Sequence, residues 1–95
     1  MGVNQKIDLL SSVSNAVIAK HSDRNFPGVL IQGDTLRILL DEIEELQDEA
    51  SSGDLEAISY IADHLQEQLV DILMHYEQVL DENEIELPYM NSVKK

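Results

Sequence analysis

The chain has 95 residues, a mass of 10.7 kDa and a formal net charge of −13, and this length fits one domain over 1–95. Nineteen Asp and Glu side chains against six Lys and Arg disfavour binding to nucleic acid and to anionic membrane surfaces. The absence of cysteine excludes disulfides, thiolate metal sites and a cysteine nucleophile. Because there is no bilayer-length apolar run and no signal-peptide pattern at the N-terminus, we expect a soluble, cytoplasmic protein.

The N-terminal third of the sequence favours extended structure. Residues 1–14 have no clear pattern, and we expect this arm to form either a short helix or a docking strand. Two short runs rich in β-branched residues, 15–20 and 28–32, flank a polar stretch rich in turn formers. We therefore predict an antiparallel β-hairpin over 15–32. Because a lone hairpin is marginal in water, it must lie on the helices or pair with a second copy.

Two helices follow, and each begins after a Gly-Asp pair, at 33–34 and 53–54, in which Gly permits a turn and Asp caps a helix. Apolar residues spaced three and four apart predict a helix over 35–51 and a longer helix over 54–82. The short connection makes the helices antiparallel, so the longer one projects about three turns beyond the shorter. We expect a loose tail over 88–95.

The projecting end of the longer helix carries more apolar surface than one partner helix needs. Its candidates for partner binding are Val70, Leu73 and Met74. Two parts could cover this apolar surface, the N-terminal third and a second copy of the chain, and we expect both to do so. The predicted fold is therefore mainly α, an antiparallel two-helix hairpin with a short N-terminal β-hairpin, dimerising into a four-helix arrangement.

The turn between the two predicted strands is the other candidate for partner binding. Phe26 is the only phenylalanine, Pro27 and Gly28 fix a bend, and Arg24 supplies a cation. This turn is either an exposed recognition loop or a structural plug, in which Phe26 closes the open end of the helical hairpin. We favour the plug.

Three motifs carry a resemblance to known proteins. They are RNFPGVLIQGDTL at 24–36, a later Gly-Asp at 53–54 and IELPY at 85–89. With these motifs, and the FPGVxIQGD pattern above all, the chain resembles a family of small bacterial proteins of unknown function over roughly residues 15–89. The resemblance implies a bacterial, cytoplasmic protein and supplies no catalytic residues.

Acids on the helices raise one catalytic alternative. The acidic run at 41–45 approximates the first half of the motif with which all-α nucleotide pyrophosphatases hold magnesium between helices. The second half would fall at 68–71, where Gln68 replaces a needed acid, and no Lys or Arg follows on these helices to bind phosphates. His64 and His75 lack the Glu-x-x-His spacing of di-iron bundles. We expect no catalytic residues, no cofactor and no metal site.

The uneven distribution of charge along the chain bears on the choice between function classes. No Lys or Arg lies between residues 38 and 93, a stretch that holds 16 of the 19 acids. The plain explanation is a solvated helix face that keeps the protein soluble. We predict a non-enzymatic, homo-oligomeric interaction module, most simply a homodimer. The alternatives are an acidic inhibitor of the immunity-protein kind that binds a basic toxin or nuclease, and a small metal-dependent all-α nucleotide hydrolase.

Overall fold

Five elements follow one another along the chain in the computed structural model, which describes residues 7–10 and 16–93. They are strands β1 (Ile7–Leu9), β2 (Ala16–His21) and β3 (Gly28–Ile31), followed by helices α1 (Gly33–Ser52) and α2 (Leu55–Glu82). The two helices pack against each other, and the strands form one antiparallel sheet. The fold is therefore mixed rather than mainly α. Neither helix combines the length and the apolar character needed to cross a membrane.

The sheet contains the β-hairpin predicted over 15–32 and one additional strand. β2 pairs with β3 so that Ile18 lies opposite Val29, and β1 pairs with the other edge of β2. This third strand changes the fold class because it supplies pairing that a lone hairpin lacks. The arm over 1–14 thus contributes a docking strand, and its other residues, apart from Leu10, lie outside the described part of the chain.

All four helix boundaries lie within two residues of the predicted ones, and local capping explains the end of α1 and the start of α2. The expected Asp34 cap is wrong, because α1 already begins at Gly33 and the preceding Gln32 makes no side-chain cap. Gly53 ends α1 in the left-handed conformation (φ 80°), and its N–H donates to the Glu49 carbonyl at 2.9 Å. The Asp54 carboxylate then accepts the Ala57 N–H at 3.1 Å, which caps α2.

The end of α2 has the two hydrogen bonds of a Schellman motif. The Ile85 N–H donates to the Leu80 carbonyl at 2.9 Å, and the Glu84 N–H donates to the Asp81 carbonyl at 3.1 Å. Glu84 occupies the left-handed position with φ 57°, which is usually taken by glycine. Ile85 then packs against the core, so the chain turns back towards α2.

The core lies at the C-terminal end of α2, where the sheet and the C-terminal segment meet. Its buried side chains are Ile18 from β2 and Tyr76, Val79 and Leu80 from α2. Half-buried apolar side chains that pack against it come from both flanks: Leu10, Ile85, Leu87 and Tyr89. The end of α2 that projects beyond α1 is therefore covered by the N-terminal sheet region, which was one of the two predicted covers, and also by the C-terminal segment, which was not predicted to cover it.

The C-terminal segment is held against α2 as far as Val93, which corrects the expectation of a loose tail. Glu77 is 2% exposed, and its carboxylate accepts hydrogen bonds from the hydroxyls of Tyr89 at 2.8 Å and Ser92 at 2.7 Å. The Val93 N–H donates to the same carboxylate at 3.0 Å. A buried carboxylate requires such donors, so it fixes the segment that provides them. Residues 94–95 lie outside the described part.

Candidate functional site

The turn between β2 and β3 is tied down by hydrogen bonds at both of its ends. The Arg24 N–H donates to the His21 carbonyl at 3.0 Å, and the Lys20 ammonium donates to the Arg24 carbonyl at 2.7 Å. The Asp23 N–H donates to Nδ1 of His21 at 3.0 Å. At the far end, the Tyr76 hydroxyl donates to the carbonyl of buried Pro27 at 2.7 Å. The backbone that carries Arg24 is therefore fixed before any ligand arrives.

This turn borders a cavity of about 590 Å³ on the sheet. Two of the predicted partner-binding residues, Arg24 and Phe26, line it together with side chains from all three strands. Phe26 is 43% exposed, so it does not plug the open end of the helical hairpin as we expected. Pro27 is buried instead, and its carbonyl accepts a hydrogen bond from the Tyr76 hydroxyl. The structure thus agrees with the alternative of an exposed loop.

The other three predicted partner-binding residues lie elsewhere, on α2. Val70 and Leu73 are half-buried, and Met74 is 42% exposed. None of the three lines the cavity beside Arg24. The predicted set therefore divides between two separate places in the fold.

A second candidate surface is an apolar face of the helical hairpin that sequence analysis missed. Its exposed side chains are Leu36 (59%), Leu40 (43%) and Ile43 (40%) on α1, with Leu55 (75%) and Leu69 (46%) on α2. On α1 these positions are four and three residues apart, and the two on α2 are 14 residues apart, so each set lies along one stripe of its helix, as in a helix–helix contact. We call these five side chains the uncovered hairpin face. The sequence did contain a signal for this face. The apolar positions of α1 span an arc of about 120° around the helix, which is wider than one partner helix needs.

Both helices present this face on the same side of the hairpin. Leu39 is buried on α1, Ile61 is buried on α2, and Gln68 donates to Glu42 across the helix pair at 2.7 Å, which together define the sides that meet. Counted at about 100° per residue, each apolar stripe is displaced from these residues by roughly a quarter of a turn, in the same rotational sense. Because the helices are antiparallel, equal rotations seen from their own N-termini place both stripes on one side.

A polar network occupies the middle of the helix pair. Oε2 of Glu42 accepts from Gln68 at 2.7 Å and lies 3.1 Å from Nδ1 of His64. Gln68, which stands where the pyrophosphatase motif needs an acid, is thus engaged with the other helix. Glu44 lies 3.8 Å from the Arg37 guanidinium on its own helix. Among residues 7–10 and 16–93, no group of three or more His, Asp and Glu side chains is placed to hold a metal ion.

A second, acid-lined hollow of about 410 Å³ lies beside the C-terminal segment, bordered by Glu77, Asp81, Glu84 and Glu86. Burial, the hydrogen bond to Glu77 and the charge of Glu77 raise the pKa of the neighbouring Tyr89 to about 12. Burial also raises the pKa of Tyr76. Both tyrosines are therefore neutral hydrogen-bond donors at physiological pH, and their roles here are structural.

Comparison with known proteins identifies a family but no individual related protein. No curated protein and no solved structure matches the chain. The model of a family of unknown function, DUF6959, matches residues 3–89, in agreement with the resemblance to an uncharacterised family. Because this match spans nearly the whole sequence, the chain belongs to the DUF6959 family.

Proposed function

We propose that the protein is a non-enzymatic interaction module of the bacterial cytoplasm that forms a homodimer through the uncovered hairpin face. One observation carries this proposal. Large apolar side chains at helix-pairing spacing lie on one side of the hairpin, and 40–75% of each is exposed. Apolar faces of this kind on soluble proteins mark interaction sites.

A second copy is the natural occupant because a two-helix hairpin cannot cover both of its own faces. Two hairpins that meet through these faces form a four-helix bundle, in which each apolar stripe packs against its counterparts. A two-fold axis uses the same surface twice, so the stripe needs only to complement itself. Burying the exposed half of each of these Leu and Ile side chains contributes roughly 1 kcal/mol, before the cost of association.

Sedimentation equilibrium at micromolar concentration tests this proposal, and we expect about twice the 10.7 kDa monomer mass. Leu40→Lys should give a monomer. The matched control is Ile38→Lys, which makes the same change at a side chain that is 52% exposed but lies off the stripe, and it should remain dimeric. On α2, Leu69→Lys should dissociate the dimer, whereas Met74→Lys should not.

Two results would reject the dimer through this face. The first is a monomeric wild type at these concentrations. The second is dissociation by Ile38→Lys or Met74→Lys to the same extent as by Leu40→Lys and Leu69→Lys. Helical circular dichroism recorded for every variant shows whether a loss of association reflects unfolding instead.

The acidic surface supports a second candidate, an inhibitor that binds a basic toxin or nuclease. All but three of the 16 acids between residues 38 and 93 are exposed, the exceptions being Glu42, Glu49 and Glu77. Such a surface attracts cationic proteins over distances that salt shortens to about 8 Å at 0.15 M. A panel of basic nucleases assayed with and without the protein at this salt concentration tests the idea, and unchanged activity across the panel rejects it.

A further inference from the structure

We propose that the cavity bordered by the β2–β3 turn binds a small molecule that carries one carboxylate on an apolar body, with the Arg24 guanidinium recognising the carboxylate. The cavity of about 590 Å³ lies within the size range of small-molecule sites. It is formed by one protomer, so the inference does not depend on the proposed dimer.

The floor of the cavity is apolar although it faces water. The strand register places Ile7, Ala19 and Leu30 on the side of the sheet opposite to Ile18, which faces the core. Ile7 and Leu30 are 59% and 62% exposed. The outer side of an antiparallel sheet normally carries polar side chains, so three strands that present apolar ones mark a surface built for contact.

The cation at the rim determines which end of the ligand is recognised. Arg24 is exposed and, in the described part of the chain, forms no ion pair, whereas Arg37 lies 2.9 Å from Asp41. A guanidinium matches a carboxylate with two parallel hydrogen bonds. The adjacent Phe26 adds an aromatic wall for the apolar part of the ligand.

The rim is already in place, which reduces the entropy lost on binding. Four hydrogen bonds hold the turn, and one of them joins it to Tyr76 in the core. Arg24 therefore needs only side-chain rotation to reach a ligand that lies on Leu30.

The acid-rich helices give this site an unusual dependence on salt. Their repulsion reaches the cavity at about 0.01 M salt, where screening acts over about 30 Å, but hardly at 0.15 M, where it acts over about 8 Å. The contact between the ligand carboxylate and the Arg24 guanidinium is shorter than either distance, so salt weakens it less than it weakens the repulsion from the helices. Affinity for a carboxylate should therefore rise with salt over this range, whereas anion sites on basic proteins lose affinity.

Octanoate is the probe, with octanol and octyltrimethylammonium as neutral and cationic controls on the same chain length. Amide chemical shifts of the labelled protein should move saturably at Ala19, Gly28 and Leu30, and octanoate should bind about tenfold more tightly than octanol. Arg24→Gln should weaken octanoate binding about tenfold and leave octanol binding unchanged. Arg37→Gln removes the same charge from α1 and should have no effect on either ligand.

Several results overturn the proposal. Octanol that binds as tightly as octanoate shows that no group recognises the carboxylate. If Arg24→Gln and Arg37→Gln weaken octanoate binding equally, octanoate responds to the overall charge of the protein and not to Arg24. Shifts confined to the uncovered hairpin face place the probe at the other surface, and the absence of saturable shifts removes the site. If the amide chemical shifts of the cavity residues change when the protein is diluted but not when octanoate is added, a second copy of the chain covers the sheet.

Discussion

Removal of the Tyr76 hydroxyl tests how the sheet is held on the helices. Tyr76 is 4% exposed, and its hydroxyl donates to the Pro27 carbonyl at 2.7 Å. Tyr76→Phe keeps the ring in the core and leaves the buried carbonyl without this donor. An unsatisfied buried acceptor costs about 1–3 kcal/mol in the free energy of unfolding. At about 4–8 °C per kcal/mol for a domain of this size, the melting temperature should fall by at least about 4 °C.

Urea unfolding and thermal melting measure this loss, and the same helix provides the control. Tyr60 is 74% exposed, so Tyr60→Phe removes the same atom where water solvates it and should change stability by less than about 0.5 kcal/mol. Equal stabilities of Tyr76→Phe and Tyr60→Phe would refute the reasoning, because the hydrogen bond to Pro27 would then contribute nothing. A loss for Tyr76→Phe alone shows that the turn is anchored through α2.

Two further predictions concern the C-terminal end of α2. The pKa of Tyr89 is raised from 10.0 to about 12 in the folded protein, so the unfolded chain loses this proton first. The stabilisation is complete below pH 10 and is lost as the pH rises from 10 towards 12. Urea unfolding over this range should show a steeper decline for the wild type than for Tyr89→Phe, and parallel declines would contradict the assignment. Glu84→Gly should raise stability by about 1 kcal/mol because glycine adopts the left-handed conformation of this position without strain. Glu84→Gln removes only the charge, so a melting temperature as high as that of Glu84→Gly would attribute the gain to electrostatics instead.

The elements that sequence analysis predicted are those with local signals. Gly53 and Asp54 fix the connection between the helices through the conformation and the cap that they provide, so both helix bounds follow closely. β1 has only three residues, too few to show a period, and it exists through pairing with β2. The C-terminal segment likewise depends on a distant partner, because its order comes from donors that reach Glu77 about 12 to 16 residues back along the chain.

The candidate surfaces were predictable only in part. The turn residues Arg24 and Phe26 were identified from composition, and they do share one cavity. Val70 and Leu73 were chosen because they are apolar, yet they are half-buried on an end of α2 that its own chain covers. Periodicity places the apolar positions of α1 on one helical face and does not show which of them contact α2. Only the exposure of the side chains in the folded structure separates Leu39, which is buried, from Leu40, which is not.

Segregation of charge from apolar surface makes the two proposed functions compatible. Asp41 and Glu45 lie at least about 100° around α1 from both Leu36 and Leu40, counted at about 100° per residue. Two hairpins that meet through their apolar faces therefore direct these acids outwards, where water and salt screen them. Dimerisation then leaves the acidic surface available to a basic partner. Leu40→Lys, which separates the protomers, should consequently disrupt the dimer while preserving the acidic face, so the two activities can be measured independently on one variant.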